Sequence, residues 1–147
     1  MSRTVLGILR AASQPDEQNV LKRVCGCAKV TFRCESVNSA NEAVKYLSGA
    51  GDYGNRERHP MPTLVLVDLD LDRSDGYEAL SWIRHHVRLR YLPVVAISQS
   101  KSQMDMKRAY DLGASSYLLK PVSFSGLVAL VKMIDRFWLT LNQVPGA

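Results

Sequence analysis

The sequence predicts an α/β fold, a doubly wound parallel sheet within a single domain over residues 1–147. Three observations carry that expectation. Leu64-Val65-Leu66-Val67 is apolar at every position, follows Pro62 and runs straight into Asp68. Such a run reads as a strand buried on both faces, the situation of a central strand in a parallel sheet. Two further runs are built alike: Val94-Val95-Ala96-Ile97 delivers Ser98, and Ser116-Tyr117-Leu118-Leu119 delivers Lys120, followed at once by Pro121. A carboxylate, a hydroxyl and an ammonium thus stand at successive strand ends, on the carboxyl edge where open α/β sheets place their chemistry.

The remaining elements alternate with these strands. Residues 4–9 read as the first strand. Pro15 opens a first helix, with Asp16 and Glu17 complementing its dipole and Val20, Leu21, Val24 and Ala28 on its apolar face. Residues 30–37 alternate as a strand. Ser39 and Glu42 form a capping box for the second helix, which turns Ala43, Val44 and Leu47 inward. Residues 49–61 read as an irregular surface insertion rich in glycine and charge. A third helix is expected over 76–87 with Leu80 and Ile83 inward. Ser102 caps a fourth, with Asp105 three residues on, and Gly113 ends it in a left-handed conformation. The fifth helix spans 123–142, with an inward stripe of Leu127, Leu130, Val131, Ile134, Trp138 and Leu141. Val128, Met133 and Phe137 lie off that stripe, so the helix is apolar over more surface than one core requires.

Composition narrows the class. A 46% hydrophobic and 22% charged chain is ordinary for a water-soluble globular domain. No apolar run approaches the roughly 18 residues of a membrane span, and no leader pattern opens the chain, so a cytoplasmic protein is expected. Cys25, Cys27 and Cys34 read as buried or half-buried thiols, their spacing too tight for a Cys-x-x-Cys site. The net charge of +5 comes with two basic clusters: Arg56, Arg58 and His59, then Arg84, His85, His86, Arg88 and Arg90. With no aromatics between the charges and no groove-reading element, they read as a solvated face rather than a nucleic-acid site. The pair His85-His86 lacks a third metal ligand nearby in sequence.

The constellation at the strand ends resembles the receiver domain of two-component response regulators, the CheY-like family. Asp75-Gly76-Tyr77-Glu78, Leu112-Gly113-Ala114-Ser115-Ser116-Tyr117 and Leu119-Lys120-Pro121-Val122 carry the likeness, which covers nearly the whole chain. The resemblance implies a five-stranded parallel sheet of order 2-1-3-4-5 with five helices. It implies Asp68 as phospho-acceptor, Ser98 as the switch hydroxyl, Lys120 as the pocket lysine and Tyr117 as the aromatic switch position. The partner it implies is a sensor histidine kinase, and the protein itself is then a signalling module rather than an enzyme. Tyr53-Gly54 ahead of Pro62, together with Phe137-Trp138-Leu139, resembles the stand-alone receivers that partner phytochrome-type kinases. A homodimer through helix four, strand five and helix five is expected on the same grounds.

One departure from the family cuts across this expectation. Receivers carry two acids after strand one to hold magnesium, where this chain reads Ala11-Ala12-Ser13-Gln14-Pro15. With Pro15 keeping the register, Ala12 and Ser13 stand at the lost pair. Asp68 and Asp70 are then weak remnants of a metal site, and no cofactor is expected. Lys120 is expected to pair directly with Asp68, with Ser13 or Ser98 sharing the carboxylate. Asp70, Asp72 and Asp75 read chiefly as loop and turn residues, and Gln99 as a side chain that crowds the pocket. Two readings stay open: a phosphorylatable receiver, and a degenerate receiver acting as a phosphorylation-independent interaction module. A flavodoxin-like ligand-binding protein is more remote, because no glycine-rich phosphate loop follows strand one.

Overall fold

A computed structural model describes residues 3–8, 26–30, 32–70 and 75–145. Leu9, the sequence from Ala11 to Pro15, the helix expected from Pro15 through Val24, Cys25 and Asp72 lie outside the described residues. The described elements are β1 (Thr4–Ile8), the short helical stretch α1 (26–28), β2 (Arg33–Val37), α2 (Ala40–Ser48), β3 (Leu64–Asp68), α3 (Asp75–His85), β4 (Val94–Ser98), α4 (Gln103–Asp111), β5 (Ser116–Leu119) and α5 (Phe124–Ile134). The strands form one parallel sheet of order β2-β1-β3-β4-β5, as expected.

Every residue of β1, β3 and β4 is buried, whereas β2 and β5 are partly open, as edge strands should be. The strand period of two sorts the apolar side chains into two layers. Leu6, Ile8, Val65, Val67, Val94 and Ala96 face α2, α3 and α4, packing on Tyr46, Leu47, Leu80, Ile83 and Ala109. Val5, Leu64, Leu66, Val95 and Ile97 face the other way, onto Ile134 and Leu139. The buried polar residues of the central strands, Thr4, Asp68 and Ser98, stand at strand ends.

Local signals set several boundaries where the sequence places them. The Ser39 hydroxyl accepts from the Glu42 N–H and the Ser102 hydroxyl from the Asp105 N–H, each starting a helix. Gly113 follows α4 at φ +106, and a Cβ there would meet Arg84 Cγ at 2.3 Å. Gly76 has another reason: a Cβ would come within 2.7 Å of the Asp68 carbonyl oxygen, so glycine lets α3 approach the end of β3. Strand β2 pairs only from Arg33, later than the expected 30. Cys34 is half-buried as expected, but Cys27 is exposed, because its neighbour Ala28 takes the inward position against Val131.

Three expectations need correction. The loop 49–61, expected to be irregular, is partly ordered. It holds a 3-10 turn over Gly51–Gly54 and packs Tyr53 and His59 edge-on to each other and against Tyr46 of α2. The Tyr46 hydroxyl donates to the Pro60 carbonyl at 2.7 Å. Burial, and then the nearby Glu35 carboxylate, push that phenol up to about 12. Second, the basic clusters are not uniformly solvated. The Arg56 guanidinium caps the end of α2, donating to the carbonyls of Tyr46 and Leu47 at 2.9 and 3.1 Å and to that of His59. Arg84 donates to the carbonyls of Gly113, Arg90 and Leu92 at 2.8, 2.8 and 3.2 Å.

Third, the last helix changes its winding. Past Ile134 it continues as a π-helix over Asp135–Leu141, with the Asn142 N–H donating back to the Phe137 carbonyl at 2.7 Å. The wider turn moves the inward position. Leu139, five residues after Ile134, is buried, while Leu141 is 63% exposed. The stripe drawn on 3.6 residues per turn holds through Val131, Ile134 and the half-buried Trp138 and fails at Leu141. No helix among the described residues is long and apolar enough to cross a membrane.

Candidate functional site

The parallel register brings the strand ends side by side. Asp68 stands opposite Ile97, and Ser98 opposite Leu119. The ladder continues one step past the strands: the Leu69 N–H donates to the Ile97 carbonyl and the Lys120 N–H to the Ser98 carbonyl, at 2.9 and 2.8 Å. Asp68, Ser98 and Lys120 are therefore positioned by backbone pairing before any side-chain contact is made.

Asp68 and Ser98 are buried, at 1% and 2% exposure. The Lys120 ammonium donates to Asp68 Oδ2 at 2.6 Å, the direct pairing expected. The other oxygen, Oδ1, accepts the Asp70 N–H at 2.8 Å, so Asp68 also shapes the turn that follows β3. A buried carboxylate with one ammonium and one amide is charge-balanced and partly hydrogen-bonded, which offsets the cost of burying it.

Of the two serines expected to share the Asp68 carboxylate, Ser98 donates elsewhere, and Ser13 lies outside the described residues. The Ser98 hydroxyl donates instead to Asp70 Oδ1 at 2.8 Å, and the Gln99 N–H donates to Asp70 Oδ2 at 2.9 Å. Asp70 is therefore no mere turn residue: its carboxylate ties the loop after β3 to the loop after β4. Asp75 is likewise employed, accepting the Ala40 N–H at 2.7 Å where α2 begins. The Gln99 side chain is exposed.

The segment from Ser98 to Ser102 carries a hydroxyl at every second position, and each does the same thing. Ser98 Oγ accepts the Ser100 N–H at 3.0 Å, Ser100 Oγ the Ser102 N–H at 3.1 Å, and Ser102 Oγ caps α4. Ser100 also donates to the Asp105 carboxylate. Tyr117, half-buried on β5, donates its hydroxyl to the Ser100 carbonyl at 2.8 Å. Arg108 of α4 lies 4.0 Å from the ring centre of Tyr77, whose phenol is pushed up by burial first and then by the Asp105 carboxylate. The alternating serines are visible in the sequence and were the available signal for this staircase. The part played by Asp70 has no comparable local signature.

Among the described residues, the carboxylates do not make up the donor set of the magnesium ion that the resemblance implies. Such an ion takes octahedral oxygen ligands that include free carboxylate oxygens. Both oxygens of Asp68 and both of Asp70 already accept hydrogen bonds. Among the described residues no three His, Cys, Asp or Glu side chains converge on one point, and the sequence has no acid before Asp16.

Comparison with known proteins places this geometry. The probable methanogenesis regulatory protein FilR2 of Methanothrix harundinacea is 40% identical over 116 residues, covering 79% of this chain and 72% of that protein. Response regulator Rcp1 of a Synechocystis species is 34% identical over 105 residues, covering 71% and 69%. The crystal structure of the phosphorylated cyanobacterial phytochrome response regulator RcpA superposes with a TM-score of 0.84 at 28% identity, covering 99% of this chain and 100% of that one. Residues 11–132 match the response regulator receiver domain. With that match, the CheY-like sheet order and the aspartate, serine and lysine at its carboxyl edge, the chain belongs to the response regulator receiver domain family and is a receiver of two-component signal transduction.

Proposed function

We infer that Asp68 accepts a phosphoryl group from a phosphohistidine of a sensor kinase. The observation that carries this reading is the 2.6 Å contact between Lys120 and the buried Asp68 carboxylate, at the end of the central strand. An Asp68 oxygen attacks phosphorus and forms the acyl phosphate. The P–N bond breaks, and its electron pair stays on the imidazole nitrogen, which takes up a proton. Lys120 pairs with the Asp68 carboxylate beforehand and faces the phosphoryl oxygens afterwards. In this reading residues 1–147 work as one receiver unit in the cytoplasm, and the chain switches partners rather than turning over a small substrate. The likeness to RcpA and Rcp1 supports a kinase of phytochrome type.

The test is treatment with phosphoramidate, with and without magnesium, read by intact mass. Wild type should gain one phosphoryl group and Asp68→Asn none. Gain by both proteins would move the acceptor elsewhere. No gain by either would favour the second reading, an interaction module that works without phosphorylation. That reading has one specific observation in its favour: no carboxylate precedes Asp16.

A homodimer through α4, β5 and α5 completes the proposal. Met104 and Val122 are 82% and 94% exposed on that side, and Leu119, Phe124, Met133 and Phe137 are also open to solvent. Apolar groups gathered so densely on one side favour a partner surface. Phe137→Glu should give monomers in sedimentation without unfolding the domain. A wild-type monomer at about 100 μM, a concentration that a −5 to −6 kcal/mol association would populate as dimer, would remove the idea.

A further inference from the structure

We propose that Asp70 is a positioning residue whose carboxylate stands in for a phosphoryl group toward Ser98, holding the Ser98–Ser102 staircase and the start of α4 independently of what happens at Asp68. This rests on the reading of Asp68 as acceptor, but the geometry that carries it does not involve Asp68 chemistry. A serine hydroxyl has one proton to give. Here Asp70 Oδ1 receives it at 2.8 Å, and the second Asp70 oxygen receives the Gln99 N–H at 2.9 Å. The carboxylate presents two anionic oxygens to neighbouring donors, as a phosphoryl group would.

The consequence runs along the chain. With its proton on Asp70, Ser98 Oγ is oriented to accept the Ser100 N–H. Ser100 then places its own oxygen for the Ser102 N–H and its proton on Asp105, and its carbonyl meets the Tyr117 hydroxyl. Ser102 caps α4. For Ser98 to serve a phosphoryl oxygen on Asp68 it must leave Asp70, and an anion already held close by opposes the arriving one. Asp70 thus sets the α4 start in its bonded arrangement and slows entry of the phosphoryl group.

Asp70→Ala and Asp70→Asn separate this from a merely structural role. Asn keeps one oxygen for Ser98 and loses the charge and the second acceptor; Ala loses all three. Amide hydrogen exchange of Ser100, Ser102 and Asp105, without phosphodonor, should quicken at least about tenfold in Asp70→Ala, which loses two charge-assisted bonds. Asp68→Asn keeps an oxygen for the Asp70 N–H and should change those amides far less than Asp70→Ala does. The initial rate of phosphorylation by phosphoramidate should rise several-fold in both Asp70 variants, whereas simple loosening of the loops would lower it. Unchanged exchange in Asp70→Ala, or a rate that falls in both variants, would overturn the proposal. If neither wild type nor variant takes up phosphoryl, the reading of Asp68 fails, and the exchange data alone decide for or against the hold on Ser98.

Discussion

Lys120 and Arg84 are both basic side chains drawn into the protein, yet their surroundings differ in kind. Arg84 spends its donors on three backbone carbonyls, at Gly113, Arg90 and Leu92, and Arg56 does the same at the end of α2. Lys120 faces a carboxylate that is 1% exposed. A cation among carbonyls satisfies dipoles that folding would otherwise leave orphaned, and it works as a staple. A cation against a buried anion offsets the cost of burying its charge and fixes it at one point, which is what a nucleophile needs. The partner, more than the charge itself, separates structural from chemical roles.

The largest expected effect breaks the chemical side of this comparison. Lys120→Ala leaves Asp68 buried without its counter-ion and should cost about 3–5 kcal/mol in denaturant unfolding. Adding Asp68→Asn to that variant should recover part of the loss, since the amide carries no charge to compensate. Two losses that simply add would show that the pair is not coupled. Arg84→Ala tests the other side. It orphans carbonyls in two loops and should cost about 2–3 kcal/mol, with Arg84→Lys restoring little because an ammonium lacks the planar fork. It should leave phosphoryl acceptance by Asp68 intact.

How far these roles could be read beforehand follows from where each is encoded. The central strands, their terminal Asp68, Ser98 and Lys120, and the caps Ser39 and Ser102 are local features, and the structure puts them where the sequence does. The direction of a long arginine is not local. Arg56 and Arg84 reach carbonyls up to ten and 29 residues away, and nothing beside them in sequence announces it. The π-turn after Ile134 has the same character, since only packing of Leu139 against the sheet rewards the shift in winding. Asp70 was hidden differently: in a cluster of loop acids, its use depends on a register that places Ser98 across from it.

A smaller effect sharpens the staple side. The Tyr46 phenol, raised from 10.0 to about 12 by burial, binds its proton more tightly folded than unfolded. Its contribution is therefore fully present below pH 10 and is lost as the pH climbs through the folded value, a drop of roughly 2 kcal/mol for a buried phenol. Tyr46→Phe removes the bond to the Pro60 carbonyl, should cost about 1 kcal/mol near neutrality, and should flatten that alkaline loss. An unchanged alkaline slope in Tyr46→Phe would place the titrating group elsewhere.

The most direct measurement traps the product itself. Borohydride reduces an aspartyl phosphate to homoserine, so protein treated with phosphoramidate and then borohydride can be digested and sequenced by mass. The account predicts homoserine at position 68 in wild type, and none there when the phosphodonor is left out. Phosphoryl uptake with an unmodified Asp68, or homoserine at Asp70 instead, would contradict it.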